Sequence, residues 1–152
     1  MALIRDLLSY RLHVVANLLS RSAELRYRRE CGVSLWEWRS VALLGGAAEP
    51  LSLTELARSA GIDKSQMSRV VSGLTQRRLV LRATDSSDAR GVRLELSKSG
   101  RKLYRRLIDA AGERDAAFRE CLSNKEADAF ERALAKLADQ ARNMIRQERE
   151  PA

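Results

Sequence analysis

Residues 63–78 read DKSQMSRVVSGLTQRR, and residues 79–100 continue LVLRATDSSDARGVRLELSKSG. At about 100° per residue, Met67, Val70, Val71 and Leu74 fall on one face of a helix. Ser65, Arg69, Ser72 and Gln76 fall on the opposite face, with Gln66 and Ser68 on its flanks. Asp63 and Gln66 have the spacing of a capping box, so the pattern predicts a helix from Asp63 to about Arg78. One face is apolar enough for a core. The other carries hydroxyls, amides and an arginine but no carboxylate, in a chain that is 32% charged. A merely solvated face would mix acids into that set.

Working outward, Ser52 and Glu55 repeat the capping-box spacing and open a short helix through Leu53, Leu56, Ala57 and Ala60, which Gly61 breaks. Two short helices joined by a tight glycine turn read as a helix-turn-helix. On the other side, Leu79–Arg82 and Val92–Leu96 are strand-like, the second with period-two alternation, and they flank the polar run Asp85–Gly91. That is a β-hairpin with a long tip, placed as the wing of a winged helix. Further out, Ser34 and Glu37 cap a helix over Leu35–Leu44 that is expected to stop at Gly45-Gly46. Leu3, Leu7, Val14, Leu18 and Leu25 mark one long amphipathic helix from Leu3 to about Arg29, closed by Gly32. A helix from Lys98 to about Cys121 follows, and Ser123 with Glu126 opens the last one. There Ala127, Phe130, Leu134, Leu137, Ala141 and Met144 step by three and four, as in a coiled-coil seam or an ordinary core stripe. The length of the first helix favours the seam, and with it a homodimer.

The fold class is therefore mostly α with a small β-hairpin wing. Residues 34–97 form a winged helix-turn-helix, and residues 1–30 with 98–152 form a helical dimerisation region.

Composition narrows the function. A chain of 152 residues supports one domain with a real core. Lys and Arg number 28 against 20 for Asp and Glu, a formal charge of +8. Such a balance calls for an anionic partner, and nucleic acid is the commonest. No stretch reaches the length of a membrane span, and Met1–Leu8 lacks a signal-peptide pattern, so a cytoplasmic protein with no membrane partner is expected. Cys31 and Cys121 are isolated, His13 is the single histidine, and there is no glycine-rich phosphate loop. Neither a cofactor, nor a metal, nor enzymatic catalysis is expected.

The exposed face of the 63–78 helix suits double-stranded DNA. Small side chains let a helix sink into the major groove, where Arg can pair with guanine and Gln with adenine. Lys64, Ser65, Gln66, Ser68, Arg69, Ser72 and Gln76 are the candidate contacts on this helix. At the wing tip Arg90 can enter a narrow minor groove, with Asp88 shaping the loop by accepting hydrogen bonds; alternatively Arg90 simply pairs with Asp88. Lys64, Arg77 and Arg82 are candidates for phosphate contacts.

These residues resemble the MarR family of bacterial regulators. The wing pattern Asp88-x-Arg90-x-x-x-Leu94-x-Leu96-Ser97-x-x-Gly100 is similar to the family's D-x-R-x-x-x-L-x-L-T-x-x-G, with serine for threonine. Trp38-Arg39-Ser40-Val41, Leu53-Thr54-Glu55-Leu56-Ala57 and Ser65–Val80 add weaker matches, and the resemblance spans about Leu18 to Ile145. It implies a triangular homodimer whose terminal helices interlock above two winged-helix lobes. It also implies repression relieved by a small phenolic or aromatic acid bound between the dimer helices and the DNA lobe. Tyr10, Arg11, His13, Trp36 and Arg39 lie where such ligands bind, and suit an aromatic carboxylate: arginine for the charge, rings for the sandwich. Trp38 matches a structural core position of the family, and Cys121 reads as a buried small hydrophobe. Other readings are redox sensing through Cys31 beside Arg28 and Arg29, a winged-helix adaptor for proteins, and non-specific nucleoid binding.

Overall fold

Most helices begin where the sequence supplies an acceptor for the first backbone N–H groups. In the computed structural model, which describes residues 3–84 and 92–149, Ser34 Oγ accepts from Glu37 N–H while a Glu37 carboxylate oxygen accepts from Ser34 N–H at 2.8 Å. This reciprocal box opens α2 (Leu35–Gly46). Ser52 and Glu55 form the same box at the start of α3 (Leu53–Ala60). Asp63 accepts from Gln66 N–H at 2.8 Å and opens α4 (Lys64–Gln76), but no bond returns from the Gln66 side chain, so this box is only half formed. Before them runs α1 (Leu8–Cys31), which Gly32 ends at φ +63°.

Three details differ from the sequence reading. A short 3-10 turn over Ile4–Asp6 precedes α1, so the long helix starts at Leu8 rather than Leu3. Gly45 and Gly46 do not stop α2 but complete it, because the Tyr104 ring packs against Gly45 where a Cβ would come within 2.4 Å of it. Leu51–Ser52 forms a two-residue strand, β1, that the sequence did not announce.

The wing strands β2 (Val80–Thr84) and β3 (Val92–Leu96) pair antiparallel with Val80 opposite Leu96 and Thr84 opposite Val92. Strand β1 adds to the other edge of β3, with Leu51 opposite Leu94, so the order is β1-β3-β2. Period-two alternation turns Val80, Leu94 and Leu96 inward and leaves Leu81 exposed. They join Tyr27, Val41, Leu56, Met67, Val71 and Leu74, all fully or nearly fully buried. Burying each such side chain contributes roughly 1.5–3 kcal/mol before entropy is counted. Ser40 is buried among them, its hydroxyl donating to Trp36 O at 2.8 Å. Trp38 is half-buried rather than fully enclosed, and its ring lies 4.8 Å from that of Tyr27.

Helix α5 (Lys98–Arg119) follows β3, and its Leu103 and Leu107 are buried. The chain forms two compact units whose boundary falls within this helix, residues 1–109 and 110–152. In the second unit Ser123 and Glu126 form a capping box before α6 (Asn124–Arg149), and Arg119 bridges Asp115 and Glu131 at 2.7 and 2.9 Å. Among its described residues helix α6 buries none; Phe130, Leu134 and Met144 of its seam are exposed. Cys121 is exposed too, with its thiol donating to Phe118 O at 2.9 Å, which corrects its assignment as a buried hydrophobe. Apolar Leu8, Val14, Val15, Leu18 and Leu25 likewise stand exposed along α1.

Candidate nucleic-acid interface

Helix α4 divides as its sequence periodicity demands. Met67, Val71 and Leu74 are fully buried, and Val70 is half-buried at the edge. Lys64, Ser65, Arg69 and Gln76 are exposed, while Gln66, Ser68 and Ser72 are half-exposed on the flanks. No acidic residue stands in the first turn, so the positive end of the helix dipole is neutralised only by the N-cap Asp63. Ser65 Oγ donates to Asp63 Oδ1 at 2.6 Å. That hydroxyl, with the Gln66 N–H next in weight, holds the Asp63 carboxyl below its usual range. Ser65 is thereby oriented at the tip of the helix, whereas Lys64 and Gln76 make no side-chain hydrogen bond among the described residues.

Ion pairs tie the helix-turn-helix to the elements around it. At the C-terminal end of α4 Arg77 donates to Glu37 Oε1 at 2.9 Å, the same carboxylate that caps α2 through its other oxygen. Arg77, whose side chain remains partly exposed, thus has a protein partner. The α3 box is used in the same way: Glu55 Oε2 accepts from Ser52 N–H at 2.7 Å and from Arg93 of β3 at 3.0 Å. Hydrogen bonds from the Ser52 backbone and hydroxyl, ahead of the Arg93 charge, keep the Glu55 carboxyl ionised below the ordinary range. Two capping carboxylates therefore tie the helix-turn-helix to its neighbours. The sequence showed them as caps, and their second role depends on contacts forty and thirty-eight positions away.

A second clamp joins α4 to the wing. Ser97 and Ser99 hydroxyls both donate to Arg78 O, at 2.7 and 2.9 Å, and Ser97 N–H donates to Leu79 O at 3.0 Å. Gly100 N–H donates to Ser97 Oγ at 3.0 Å. A Cβ on Gly100 would stand 2.0 Å from Leu79 O, so only glycine fits there. The Ser97-x-x-Gly100 segment of the wing pattern is in this way a fastening between strand β3, helix α5 and the turn after α4. Arg82 leans toward Ser72 at 3.5 Å. Asp88 and Arg90 lie outside the described residues.

The five ligand candidates do not converge. Tyr10 and Arg11 line a hollow of about 230 Å³ with Arg5, Val14 and Val15. Arg39 lines another, about 350 Å³, between α2 and α3 with Trp38, Ala42, Leu43, Ser59 and Ala60. Its guanidinium sits 4.8 Å from the Trp36 ring centre and donates to Ser20 Oγ of α1 at 3.2 Å. His13 is exposed and bonds Asn17 at 2.8 Å, apart from both hollows. Cys31 is half-buried at the last position of α1. Among the described residues no helix is long and apolar enough to cross a membrane, and no three His, Cys, Asp or Glu side chains are grouped to hold a metal ion.

Comparison with known proteins gives a consistent result. A sequence model of the MarR family matches residues 32–91. The HTH-type transcriptional regulator FarR of Neisseria gonorrhoeae is 31% identical over 102 residues, 67% of this chain and 69% of its own length. A MarR/EmrR family transcriptional regulator from Acinetobacter sp. ADP1 superposes with a TM-score of 0.81 at 26% identity, over 89% of this chain and 94% of the other. The structure of NadR in complex with 4-hydroxyphenylacetate superposes with a TM-score of 0.74 at 25% identity, over 91% and 96% of the two chains.

Proposed function

The chain belongs to the MarR family of transcriptional regulators, and on that premise we propose that it is a homodimeric repressor that reads a pseudo-palindromic operator and releases it when a small aromatic acid binds. The observation that carries this reading is the outer face of α4: exposed Ser65, Arg69 and Gln76, flanked by Gln66, Ser68 and Ser72, with no carboxylate along the helix. Ser65, Gln66, Ser68 and Arg69, near the helix N-terminus, contact base edges, and Arg69 takes guanine. Lys64, at the first helical position, holds a phosphate, while Ser72 and Gln76 follow the groove. Arg90 enters the adjacent minor groove with Asp88 shaping its loop. The protein works by binding rather than by catalysis, in the cytoplasm and on the nucleoid.

Dimerisation is supported by the apolar side chains left exposed on α1, and separately by Phe130, Leu134 and Met144 on α6. Stripes of this kind on terminal helices are what a second copy would cover. Residues 1–30 and 98–152 make up this dimerisation region, and 34–97 the DNA-binding lobe. The effector reading is supported by the Arg39–Trp36 stack beside an apolar hollow and by the aromatic acid bound to NadR. Tyr10 and Arg11, in a separate hollow on α1, and exposed His13 stand apart from that site.

Selection from a random duplex pool tests this reading. Two-fold sites with half-sites about one helical turn apart should be enriched, by a protein of twice the monomer mass in solution. Addition of 4-hydroxyphenylacetate or a related aromatic acid should then weaken binding. A pool with no enriched sequence, or a site with no two-fold character, would refute it.

A further inference from the structure

Helix α4 ends in a turn that three helix ends of this chain share but only one builds without glycine. Gly32 and Gly61 close α1 and α3 at φ +63° and +73°. After α4 the same left-handed position is held by Arg78, at φ +56°, the one non-glycine residue with positive φ among the described residues. Its N–H donates to Thr75 O at 2.9 Å, and the next N–H, of Leu79, donates to Leu74 O at 2.9 Å. A Cβ in this conformation crowds its own backbone, which glycine avoids. The strain is sustained by neighbours: the Ser97 and Ser99 hydroxyls hold Arg78 O, and Ser97 N–H holds Leu79 O.

The Arg78 side chain serves no such purpose within the fold. It is exposed and makes no hydrogen bond or ion pair among the described residues. Its neighbours differ: Arg77 is paired with Glu37, and Arg82 reaches Ser72. A strained backbone that retains a long, unpaired cation at the end of the reading helix points outward for its explanation.

We propose that Arg78 is a DNA-phosphate contact, one that sets affinity without reading sequence. The inference rests on the DNA-binding reading of α4. The thirteen residues of α4 rise about 20 Å, more than the roughly 12 Å width of a major groove. With the N-terminal part of the exposed face at the bases, the C-terminal turn arrives at the sugar-phosphate backbone. A guanidinium there replaces a condensed counterion, and backbone contacts of this kind carry no base preference.

The test compares the parent with Arg78→Gly and Arg78→Lys. Thermal midpoints would be measured without DNA, and affinities for a selected operator and an unrelated duplex across a salt series. The glycine variant relieves the left-handed strain, so its midpoint should rise. Its affinity should fall by roughly 3–10-fold for both duplexes alike, and the slope of log K against log salt should flatten by about one per protomer. The lysine variant should keep the parent's slope. An unchanged slope and affinity in Arg78→Gly would overturn the proposal, as would a loss confined to the operator or a lowered midpoint. A parent that binds neither duplex at low salt overturns the DNA-binding reading and this inference with it; a binding parent matched by its glycine variant overturns the inference alone.

Discussion

Replacing Gly100 by alanine should loosen the joint between the reading helix and the wing. The new Cβ would stand 2.0 Å from Leu79 O, 3.0 Å from Leu79 C and 3.3 Å from Leu96 Cβ. An ordinary contact is about 3.4 Å or more, so the Leu79 carbonyl must retreat by over ~1 Å. That carbonyl is held by Ser97 N–H, and Ser97 Oγ is in turn held between Gly100 N–H and Arg78 O. Losing two of these bonds costs about 2 kcal/mol, and forcing a methyl into a filled site costs about 1–3 kcal/mol more. A total near 3–5 kcal/mol is a large share of the roughly 5–15 kcal/mol that hold a domain of this size. The assay is urea unfolding followed by far-UV circular dichroism at fixed protein concentration, because dimerisation makes stability concentration-dependent. Gly73→Ala serves as the control: nothing lies within 4 Å of its Cβ, and removing a mid-helix glycine should stabilise by about 0.5–1 kcal/mol. A Gly100→Ala protein within about 0.5 kcal/mol of the parent would refute the clamp.

Three further outcomes follow from the same geometry. Gly45→Ala places a methyl 2.4 Å from the Tyr104 ring and should cost about 1–3 kcal/mol in urea unfolding, part of which Tyr104→Ala in the same chain should restore. A double-mutant cycle of Glu37→Gln and Arg77→Gln should give a coupling of about 0.5–1 kcal/mol, and additive losses would show the pair to be idle. The folded Asp63 carboxyl lies below its unfolded value, so its capping contribution is complete above the ordinary carboxylate range. It is then lost as pH falls below about 4, through the depressed folded value. A carboxyl chemical-shift titration should locate that lowered transition, and Asp63→Asn should keep the cap while removing its acid sensitivity.

What could be read from the chain was what depends on neighbours a few residues apart. Ser34 with Glu37, Ser52 with Glu55 and Ser123 with Glu126 form the capping boxes their spacing announces. The division of α4 into a buried Met67–Val71–Leu74 face and a polar outer one follows from its period alone. Asp63 with Gln66 has the same spacing yet half the bonds: the Asp63 carboxylate accepts from Gln66 N–H, but the Gln66 amide does not turn back to Asp63 N–H. Strand β1 escaped because its two residues carry no alternation and pair with Leu94 and Arg93, some forty positions on. Gly45 and Gly46 looked like a stop because glycine's two uses, a left-handed turn and close approach, leave the same letter in the sequence; Tyr104 decides between them. The left-handed turn at Arg78 was hidden for the converse reason. Tyr10, Arg11 and Arg39 were matched by chemistry without a map of their surroundings, and the fold sets them in two hollows rather than one.

The central claim, that the outer face of α4 reads DNA sequence, is tested most directly by competition binding to a fragment upstream of the protein's own gene. Parent and Arg69→Ala would be compared at ~150 mM salt, with an unrelated duplex as competitor. The parent should prefer its fragment by at least ~10³-fold, and Arg69→Ala should lose about 1–3 kcal/mol of that preference while still binding the competitor as the parent does. A parent that binds fragment, competitor and a selected pool alike, or an Arg69→Ala protein with the full preference, would contradict it.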